Sequence, residues 1–324
     1  MKVMVTGAGA LLGQGIIRSL KRSSLGAEIV SVDPNPLSAG LYWTDRRYRV
    51  PVASDPTYLD RMRELLDKER PDAVLVGTDV ELSMLAAHRA ELESQFSTSI
   101  LVSDTRVVGI ADDKYLTAEF MRKAGFAHPR SCLPGEEDQL IAEVGFPLIV
   151  KPRIGARSIG VSLVSTRDEL ARALEGRDGL VIQECVGTDR AEFTASALVF
   201  DGVCRATIVM RRDLRDGNTY RAFVDRSPAL AETVRTLGET LQPYGPANFQ
   251  FRLDPEGTVK VFEINARFSG TTPLRAHANF NEVEMCLRHI LLGEPVRQPE
   301  IRDIIVLRHW SETVVTEADV QGFA

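Results

Sequence analysis

The residues best suited to do chemistry lie in the stretch ANFQFRLDPEGTVKVFEINAR, residues 247–267. Pro and Gly at the second and fourth positions of Asp254–Gly257 predict a type I turn, and the alternating flanks predict the two strands of a hairpin. A symmetric turn would place Gln250 opposite Val261 and Asn248 opposite Glu263. Because side chains alternate along a strand, one face would carry Asn248, Gln250, Glu263 and Asn265, and the other Phe249, Phe251, Phe262 and Ile264.

The polar face of this hairpin has the composition of a cation site. Its single carboxylate, Glu263, is surrounded by amide oxygens, and Mg²⁺ accepts such ligands when phosphates and water complete its shell. Arg267 follows with a planar fork that suits a phosphate group. The alternative is a half-solvated hairpin, but an exposed face would more often carry Lys, Thr and Glu. The sequence therefore favours a metal site.

A second chemical feature is a lysine at the end of an apolar strand. Residues 146–152 predict a strand that carries Lys151 near its end, and a glycine loop follows at residues 153–160. Gly155, Ser158 and Gly160 would allow backbone amides to fold over a polyphosphate, while Lys151 adds a point charge. No Gly-Lys-Ser/Thr sequence follows, so this is not a Walker loop. A surface turn is the alternative, and the role of Arg157 is open.

The first third of the chain predicts α/β elements that would support such a site. A strand at residues 3–6, a loop from Gly7 to Gly15, a helix at 16–21 and a strand ending at Asp33 follow the order of a dinucleotide-binding fold. The loop carries one residue more than G-x-G-x-x-G. We therefore expect its glycines to permit close strand–helix packing, with a bound NAD and an oxidoreductase activity as the alternative.

Glu81 has two explanations of equal weight. Thr78 and Glu81 have the spacing of a capping box at the start of a helix. Ligands of open α/β sheets collect beyond the carboxyl ends of the strands, so Glu81 could instead face an acceptor substrate.

Composition and charge exclude several classes of protein. With 44% hydrophobic and 26% charged residues, the 324-residue chain has the composition of a soluble globular protein of two or three domains. A net charge of −6 argues against a nucleic-acid partner. The scattered cysteines predict a reduced, cytoplasmic chain, and neither a signal peptide nor a membrane-spanning run is visible.

The motifs NFQF and FEINARFSGTTPLR resemble the signature of ATP-grasp enzymes, in particular the carbamoyl-phosphate synthase large-subunit type. The resemblance implies that Gln250, Glu263 and Asn265 hold Mg²⁺ ions, with Mn²⁺ as an alternative, and that Arg267 contacts the transferred phosphoryl group. It implies further contacts to ATP: Lys114, Lys151 and the loop with Gly155, Ser158 and Gly160 at the phosphates, the backbone of Glu184, Cys185 and Val186 at the adenine, and Glu192 at the ribose.

The resemblance also implies a domain organisation. We expect an α/β (α+β) chain with a Rossmann-like pre-ATP-grasp domain at residues 1–111 and an ATP-grasp domain at 112–294. A mobile lid subdomain would occupy roughly residues 126–186, and residues 295–324 would form a tail packed on the ATP-grasp domain. The acceptor site would draw on Glu81, Ser269, Gly270, Thr271 and Arg275. His277 and the charged segment 211–217, predicted to be a loop, are weaker candidates.

The function that follows is an ADP-forming ligase. A carboxylate would be activated by ATP as an acyl phosphate and joined to an amine, as in single-unit ligases of the pyrrolysine-biosynthesis type. The alternatives are carbamoyl-phosphate-synthase-like phosphoryl transfer to bicarbonate or carbamate, and a non-catalytic ATP-binding regulator. The expected partners are a small-molecule carboxylate and amine, with a homodimer as one option and neither nucleic acid nor a membrane involved.

Overall fold

The computed structural model of the chain describes residues 1–155, 159–187 and 191–322. Its first part is a five-stranded, all-parallel sheet in the order β3-β2-β1-β4-β5. The strands are β1 (Lys2–Val5), β2 (Glu28–Asp33), β3 (Arg46–Arg49), β4 (Ala73–Leu75) and β5 (Ser99–Leu101). The helices are α1 (Leu11–Arg22), α2 (Tyr58–Glu69), α3 (Leu82–Phe96) and α4 (Thr105–Asp112), with 3-10 turns at Ala39–Trp43 and Asp79–Glu81.

The glycine loop between β1 and α1 is closed by protein contacts. A Cβ on Gly13 would lie 2.1 Å from the carbonyl oxygen of Gly7, so this close approach requires glycine. The Asp33 carboxylate accepts the Gly9 N–H at 2.7 Å and the Ser38 hydroxyl at 2.7 Å. These contacts favour the packing explanation of the glycines. Helix α1 begins at Leu11, whereas the sequence predicted a start at residue 16.

Residues 114–184 contribute a second, four-stranded antiparallel sheet in the order β6-β9-β7-β8. Its strands are β6 (Ser131–Cys132), β7 (Leu148–Pro152), β8 (Ser162–Val164) and β9 (Leu180–Glu184), and the helices of this region are α5 (Lys114–Lys123), α6 (Glu137–Val144) and α7 (Arg167–Leu174). Asp112 ends α4, and the Asp113 carboxylate caps α5 by accepting the Tyr115 N–H at 2.9 Å.

The third sheet has six strands in the order β14-β13-β10-β11-β12-β15. They are β10 (Glu192–Phe200), β11 (Val203–Arg215), β12 (Asn218–Asp225), β13 (Gly245–Leu253), β14 (Val259–Asn265) and β15 (Ile305–Leu307). The helices are α8 (Pro228–Leu241), α9 (Thr272–His277), α10 (Glu282–Leu292) and α11 (Glu317–Gln321). The prediction of a charged loop at 211–217 was wrong, because β11 continues to Arg215 and returns as β12.

The hairpin register differs from the symmetric expectation. Gln250 pairs with Glu263, and Asn248 pairs with Asn265. A bulge between Gln250 and Phe251 shifts the register, so the prediction that Phe262 shares the face of Phe249 was wrong. Phe262 instead lines the same cavity as Glu263, while the apolar core takes Val261, Ile264, Phe249 and Phe251.

One hydrophobic core joins the parallel and six-stranded sheets. It combines Val3 and Val5 of β1, Ile16 of α1, and Ile208 and Met210 of β11. This shared core fixes the carboxyl ends of the parallel strands relative to the hairpin. The parallel and antiparallel sheets confirm the predicted α/β (α+β) class. No helix among the described residues is long and apolar enough to span a bilayer.

Candidate active site

A cavity of about 230 Å³ lies between the four-stranded and six-stranded sheets and gathers most of the predicted nucleotide and metal residues. Among those that line it are Lys114, Lys151, Gly155, Glu184, Cys185, Val186, Glu192, Gln250 and Glu263. Gly160, Asn265 and Arg267 are not part of this lining, and Arg157 and Ser158 lie outside the described residues. Residues far apart in the chain thus meet in one cavity.

Two buried lysines, Lys114 and Lys151, line the cavity near the start of the loop at 153–160. The Lys151 ammonium donates to Gln183 Oε1 at 2.7 Å and lies 5.7 Å from the Phe262 ring centroid. Burial lowers the pKa of Lys151 to about 8, although the negative charge of Glu263 opposes this shift. Lys114, which the sequence alone would leave on the surface, is buried and donates to the Gly155 carbonyl at 2.7 Å.

The hairpin presents one carboxylate with two side-chain amides. Glu263 Oε1 accepts from Gln250 Nε2 at 3.0 Å and from Asn265 Nδ2 at 3.1 Å. Within residues 1–155, 159–187 and 191–322, no three His, Cys, Asp or Glu side chains come together as a metal site. The donor set fits a hard cation if both amides rotate to present oxygen and phosphate oxygens supply the remaining ligands.

Arg212 is a cavity residue that the sequence reading missed. Its Nη2 donates to Gln250 Oε1 at 2.5 Å and to Glu192 Oε1 at 2.7 Å. The other Glu192 oxygen accepts from Arg252 Nη2 at 2.7 Å, so two guanidinium groups hold the predicted ribose ligand. The sequence carried a signal for Arg212, because the strand β11 continues into the charged segment 211–217 and Arg212 lies on that strand.

The segment predicted to meet adenine already has several protein partners. The Glu184 carboxylate binds Lys260 Nζ at 2.9 Å and the Arg130 N–H at 3.0 Å. The Val186 carbonyl accepts from Arg252 Nη1 at 3.3 Å. Cys185 lies between them and lines the cavity.

Arg267 is fixed between the hairpin and the parallel sheet. Its Nε donates to Asp79 Oδ1 at 2.7 Å, and its Nη2 donates to Asn265 Oδ1 at 2.7 Å. Asp79 lies in the turn after β4, where the sequence indicates only Glu81 as a candidate. This ion pair therefore joins the glycine-loop half of the molecule to the predicted metal ligands.

The predicted acceptor residues divide into two groups. Ser269 and Thr271 are buried and share a hydrogen bond of 2.6 Å between their hydroxyl oxygens. Gly270 packs against Leu11, and its carbonyl accepts from Arg308. These three form a tight turn directly after Arg267, which we call the acceptor loop (residues 269–271).

Arg275 and Glu81 are sealed inside the protein. Arg275 has no exposed surface and binds Glu282 Oε1 at 3.1 Å and Asn248 Oδ1 at 2.5 Å. Glu81 is 4% exposed and accepts from three hydroxyl groups, including Thr78 Oγ1 at 2.5 Å. The capping box was wrong in detail, because this bond joins two side chains and no cap bond to the backbone forms. Neither residue is available to a substrate in this structure.

Two family models match the chain. Residues 3–100 match the PylC-like, N-terminal domain, and residues 187–313 match the model described as ATP-grasp in the biosynthetic pathway with Ter operon. The chain is 24% identical over 327 residues to the carbamoyl phosphate synthase large chain of Methanosphaerula palustris, which covers 90% of this chain and 30% of the relative. The large chain of Rubrobacter xylanophilus is 26% identical, with 82% and 27% covered. The chain thus spans about 30% of the length of these relatives.

Solved structures share the whole fold at low sequence identity. N5-carboxyaminoimidazole synthetase from Staphylococcus aureus, complexed with ADP, has a TM-score of 0.72 at 16% identity, covering 94% of this chain and 79% of that one. L-amino acid ligase from Bacillus licheniformis has a TM-score of 0.69 at 18% identity, covering 91% and 75%. These likenesses concern the fold.

Proposed function

We propose, from the premise that the chain belongs to the ATP-grasp superfamily, that it is an ATP- and Mg²⁺-dependent ligase. It would activate a carboxylate as an acyl phosphate and join it to an amine, releasing ADP and phosphate. The observation that carries this proposal is that buried Lys151 and the Gln250–Glu263 pair line one cavity with the segment predicted to bind adenine.

The cavity residues would each hold one part of the nucleotide. Backbone groups around Cys185 would receive the base, and the Glu192 carboxylate, oriented by Arg212 and Arg252, would receive the ribose hydroxyls. Lys114 and Lys151 would bind the phosphates as buried cations, which act more strongly there than in water. When the phosphates bind, Lys151 would give up its hydrogen bond to Gln183, and Lys114 would give up its hydrogen bond to the Gly155 carbonyl.

Glu263, Gln250 and Asn265 are the residues that would hold Mg²⁺. When bound, the metal would neutralise charge on the phosphates during transfer. Arg212 accounts for the present orientation of Gln250, because it donates to the amide oxygen. Arg267 similarly holds the amide oxygen of Asn265. Both amides are therefore oriented by arginines until phosphate draws the guanidinium groups away.

The chemistry we propose takes place in two displacements. An oxygen of the substrate carboxylate attacks the γ-phosphorus, the bond to the ADP oxygen breaks, and an acyl phosphate forms. The amine then attacks the acyl carbon, phosphate leaves, and the nitrogen loses a proton. Arg267, held by Asp79, would stabilise the negative oxygens of the acyl phosphate. No covalent protein nucleophile is needed, because catalysis rests on positioning and charge.

Two alternatives remain as proposals. The carbamoyl phosphate synthase relatives favour phosphoryl transfer to bicarbonate or carbamate, although the chain covers 30% of their length. A non-catalytic ATP-binding regulator would not need Glu263 and Asn265. A homodimer and a cytoplasmic location stay predictions from the sequence, as do the domain bounds.

The test is a screen for ADP release by the full chain with MgATP. One arm pairs a panel of carboxylates, including amino acids, with a panel of amines, and a second arm supplies bicarbonate with ammonia. Amide formation in the first arm, confirmed by mass spectrometry of the product, is the expected result. ADP release only with bicarbonate and ammonia would replace the ligase with the synthase-like activity, and ATP binding without any turnover would favour the regulator.

A further inference from the structure

A second cleft, of about 610 Å³, lies between α1, α9 and the segment that follows β15. Basic side chains from all three elements line it: Arg18, Lys21, Arg22, His277, Arg308 and His309. Among the described residues that line this cleft, which we call the basic cleft, none is acidic. It shares no lining residue with the cavity of about 230 Å³ that is proposed to bind ATP, which we call the nucleotide cavity. Nothing in the proposed ligase reaction uses this cleft.

The positive charges of the basic cleft are not neutralised by the protein. Across residues 1–155, 159–187 and 191–322, no ion pair joins Arg18, Lys21, Arg22 or Arg308 to a carboxylate. The Arg22 guanidinium instead lies 3.1 Å from His277 Nε2, and Arg18 lies 4.8 Å from the Trp43 ring centroid. Burial and the nearby charge of Arg18 lower the pKa of Arg308. These cations therefore repel one another in a chain whose net charge is −6.

A comparison with α5 shows that this arrangement is unusual within the molecule. Both α1 and α5 end with two consecutive basic residues, which the helix dipole favours at a carboxyl terminus. In α5 these residues, Arg122 and Lys123, lie 2.8 and 3.8 Å from Glu119. In α1 the corresponding Lys21 and Arg22 instead line the basic cleft with His277 of α9 and with Arg308 and His309, and no carboxylate is part of that described lining. The helix dipole accounts for α5 but not for this convergence.

We propose that the basic cleft is a binding site for a small organic phosphate. A phosphomonoester dianion would neutralise the convergent cations, and the planar guanidinium groups suit its oxygens. Pro273, Leu274, Val306 and Leu307 provide apolar walls for the organic part. The volume lies in the range of small-molecule sites. Because the basic residues are confined to a cleft and do not form a stripe, a nucleic acid is disfavoured.

The basic cleft is linked to the acceptor loop by Arg308. The Arg308 Nη2 donates to the carbonyl oxygen of Gly270. Pro273, Leu274 and His277 of α9 continue the chain directly from that loop. A phosphate held by Arg308 would therefore act on the turn that follows Arg267. The site would regulate the acceptor end of the proposed ligase, and its binding function does not depend on that activity.

Calorimetry with phenyl phosphate tests the binding site. The full chain is first saturated with a non-hydrolysable ATP analogue and Mg²⁺, so that the probe cannot occupy the nucleotide cavity. We expect wild-type protein to bind, and the exposed double variant Lys21→Ser with Arg22→Ser to bind at least ~10-fold more weakly. The matched control, Arg122→Ser with Lys123→Ser, should bind within about twofold of wild type. Absence of wild-type binding, or equal losses in both double variants, would overturn the proposal.

Two further measurements test the ligand class and the link to the loop. Citrate binding in place of phenyl phosphate would overturn the assignment to a phosphate. Hydrogen exchange across residues 268–276 should slow when phenyl phosphate binds to wild type and to the α5 control. If hydrogen exchange were unchanged while phenyl phosphate is bound, the proposed link from the basic cleft to the acceptor loop through Arg308 would be wrong. Neither readout requires turnover, so failure of the ligase proposal would leave both interpretable.

Discussion

Glu81 and Glu263 show how differently one residue type is used in the two main sheets. Glu81, in the turn after β4, accepts hydrogen bonds from the hydroxyl groups of Thr6, Tyr58 and Thr78 at 2.6, 2.5 and 2.5 Å. Glu263, on β14, accepts from the amides of Gln250 and Asn265 and lines the nucleotide cavity. The sequence left Glu81 as a candidate substrate residue, whereas the structure encloses it.

The difference lies in what the neighbours can do when a ligand arrives. Burial raises the pKa of Glu81, and three hydroxyl donors satisfy its oxygens without any need for a ligand. The amides beside Glu263 can instead rotate and offer oxygen, so the same cluster can change from an internally bonded state to a cation site. A carboxylate with amide neighbours at a cavity wall is thus the stronger indication of function.

We expect the largest loss of activity when Glu263 is substituted. Glu263→Gln removes the only carboxylate of the predicted metal set while preserving shape, so ADP release should fall by ~10³-fold or more, since charge at the transferred group is no longer neutralised. Steady-state ADP production measures the loss, and circular dichroism checks the fold. The control is Glu256→Gln, in the exposed turn of the same hairpin. Near-normal turnover in Glu263→Gln would remove the metal assignment.

Arg267 should show the next largest effect. Arg267→Lys keeps the charge but loses the two-pronged geometry, as well as the bond to Asp79 or Asn265. We expect kcat to fall ~10²-fold, with the Kd for ATP changed much less, because the acyl phosphate depends on this fork more than ATP does. Calorimetry and kinetics on the same preparation give the two values. Equal losses in affinity and kcat would instead place Arg267 in the nucleotide site.

The lowered pKa of Lys151 predicts that the affinity for ATP changes with pH by about one order of magnitude. Its pKa in the free protein is lowered to about 8, and bound phosphates favour the ammonium form. Above pH 8 the free lysine is mostly neutral and must take up a proton on binding, so affinity falls as pH rises. ATP should bind about tenfold more weakly at pH 9 than at pH 7. Lys151→Gln should bind weakly at both values, and an unchanged pH profile in that variant would contradict the assignment.

The sequence predicted much of the scaffold because its signals are local. The apolar strands and the turn at Asp254–Gly257 could be predicted from alternation and turn residues, and the Gly257 N–H donates to the Asp254 carbonyl across that turn. The ATP-grasp resemblance then grouped residues such as Lys151 and Glu192, which the structure brings to one cavity.

The remaining features depend on contacts between distant segments. The bulge at Gln250 shifts the hairpin register and brings Phe262 beside Lys151, which strand alternation cannot reveal. Arg212 was hidden in a charged run that resembles a solvated loop. The sequence position of Arg275 predicts a place near the substrate, but the side chain is fully buried and bonded to Glu282 and Asn248.

We expect the smallest effect on turnover from Glu81→Gln, which makes the same chemical change as Glu263→Gln at the enclosed glutamate. Glu81→Gln introduces an amide donor where Thr6, Tyr58 and Thr78 already donate, so one buried polar group loses its partner. The free energy of unfolding should fall by about 1–3 kcal/mol. ADP release should stay within about threefold of wild type, because the change lies in the buried turn after β4 and leaves the Asp79–Arg267 bond in place. Urea denaturation gives the first quantity, and the assay used for Glu263→Gln gives the second. If Glu81→Gln lost turnover as severely as Glu263→Gln while remaining stably folded, the two glutamates would share a catalytic role and the contrast between them would fail.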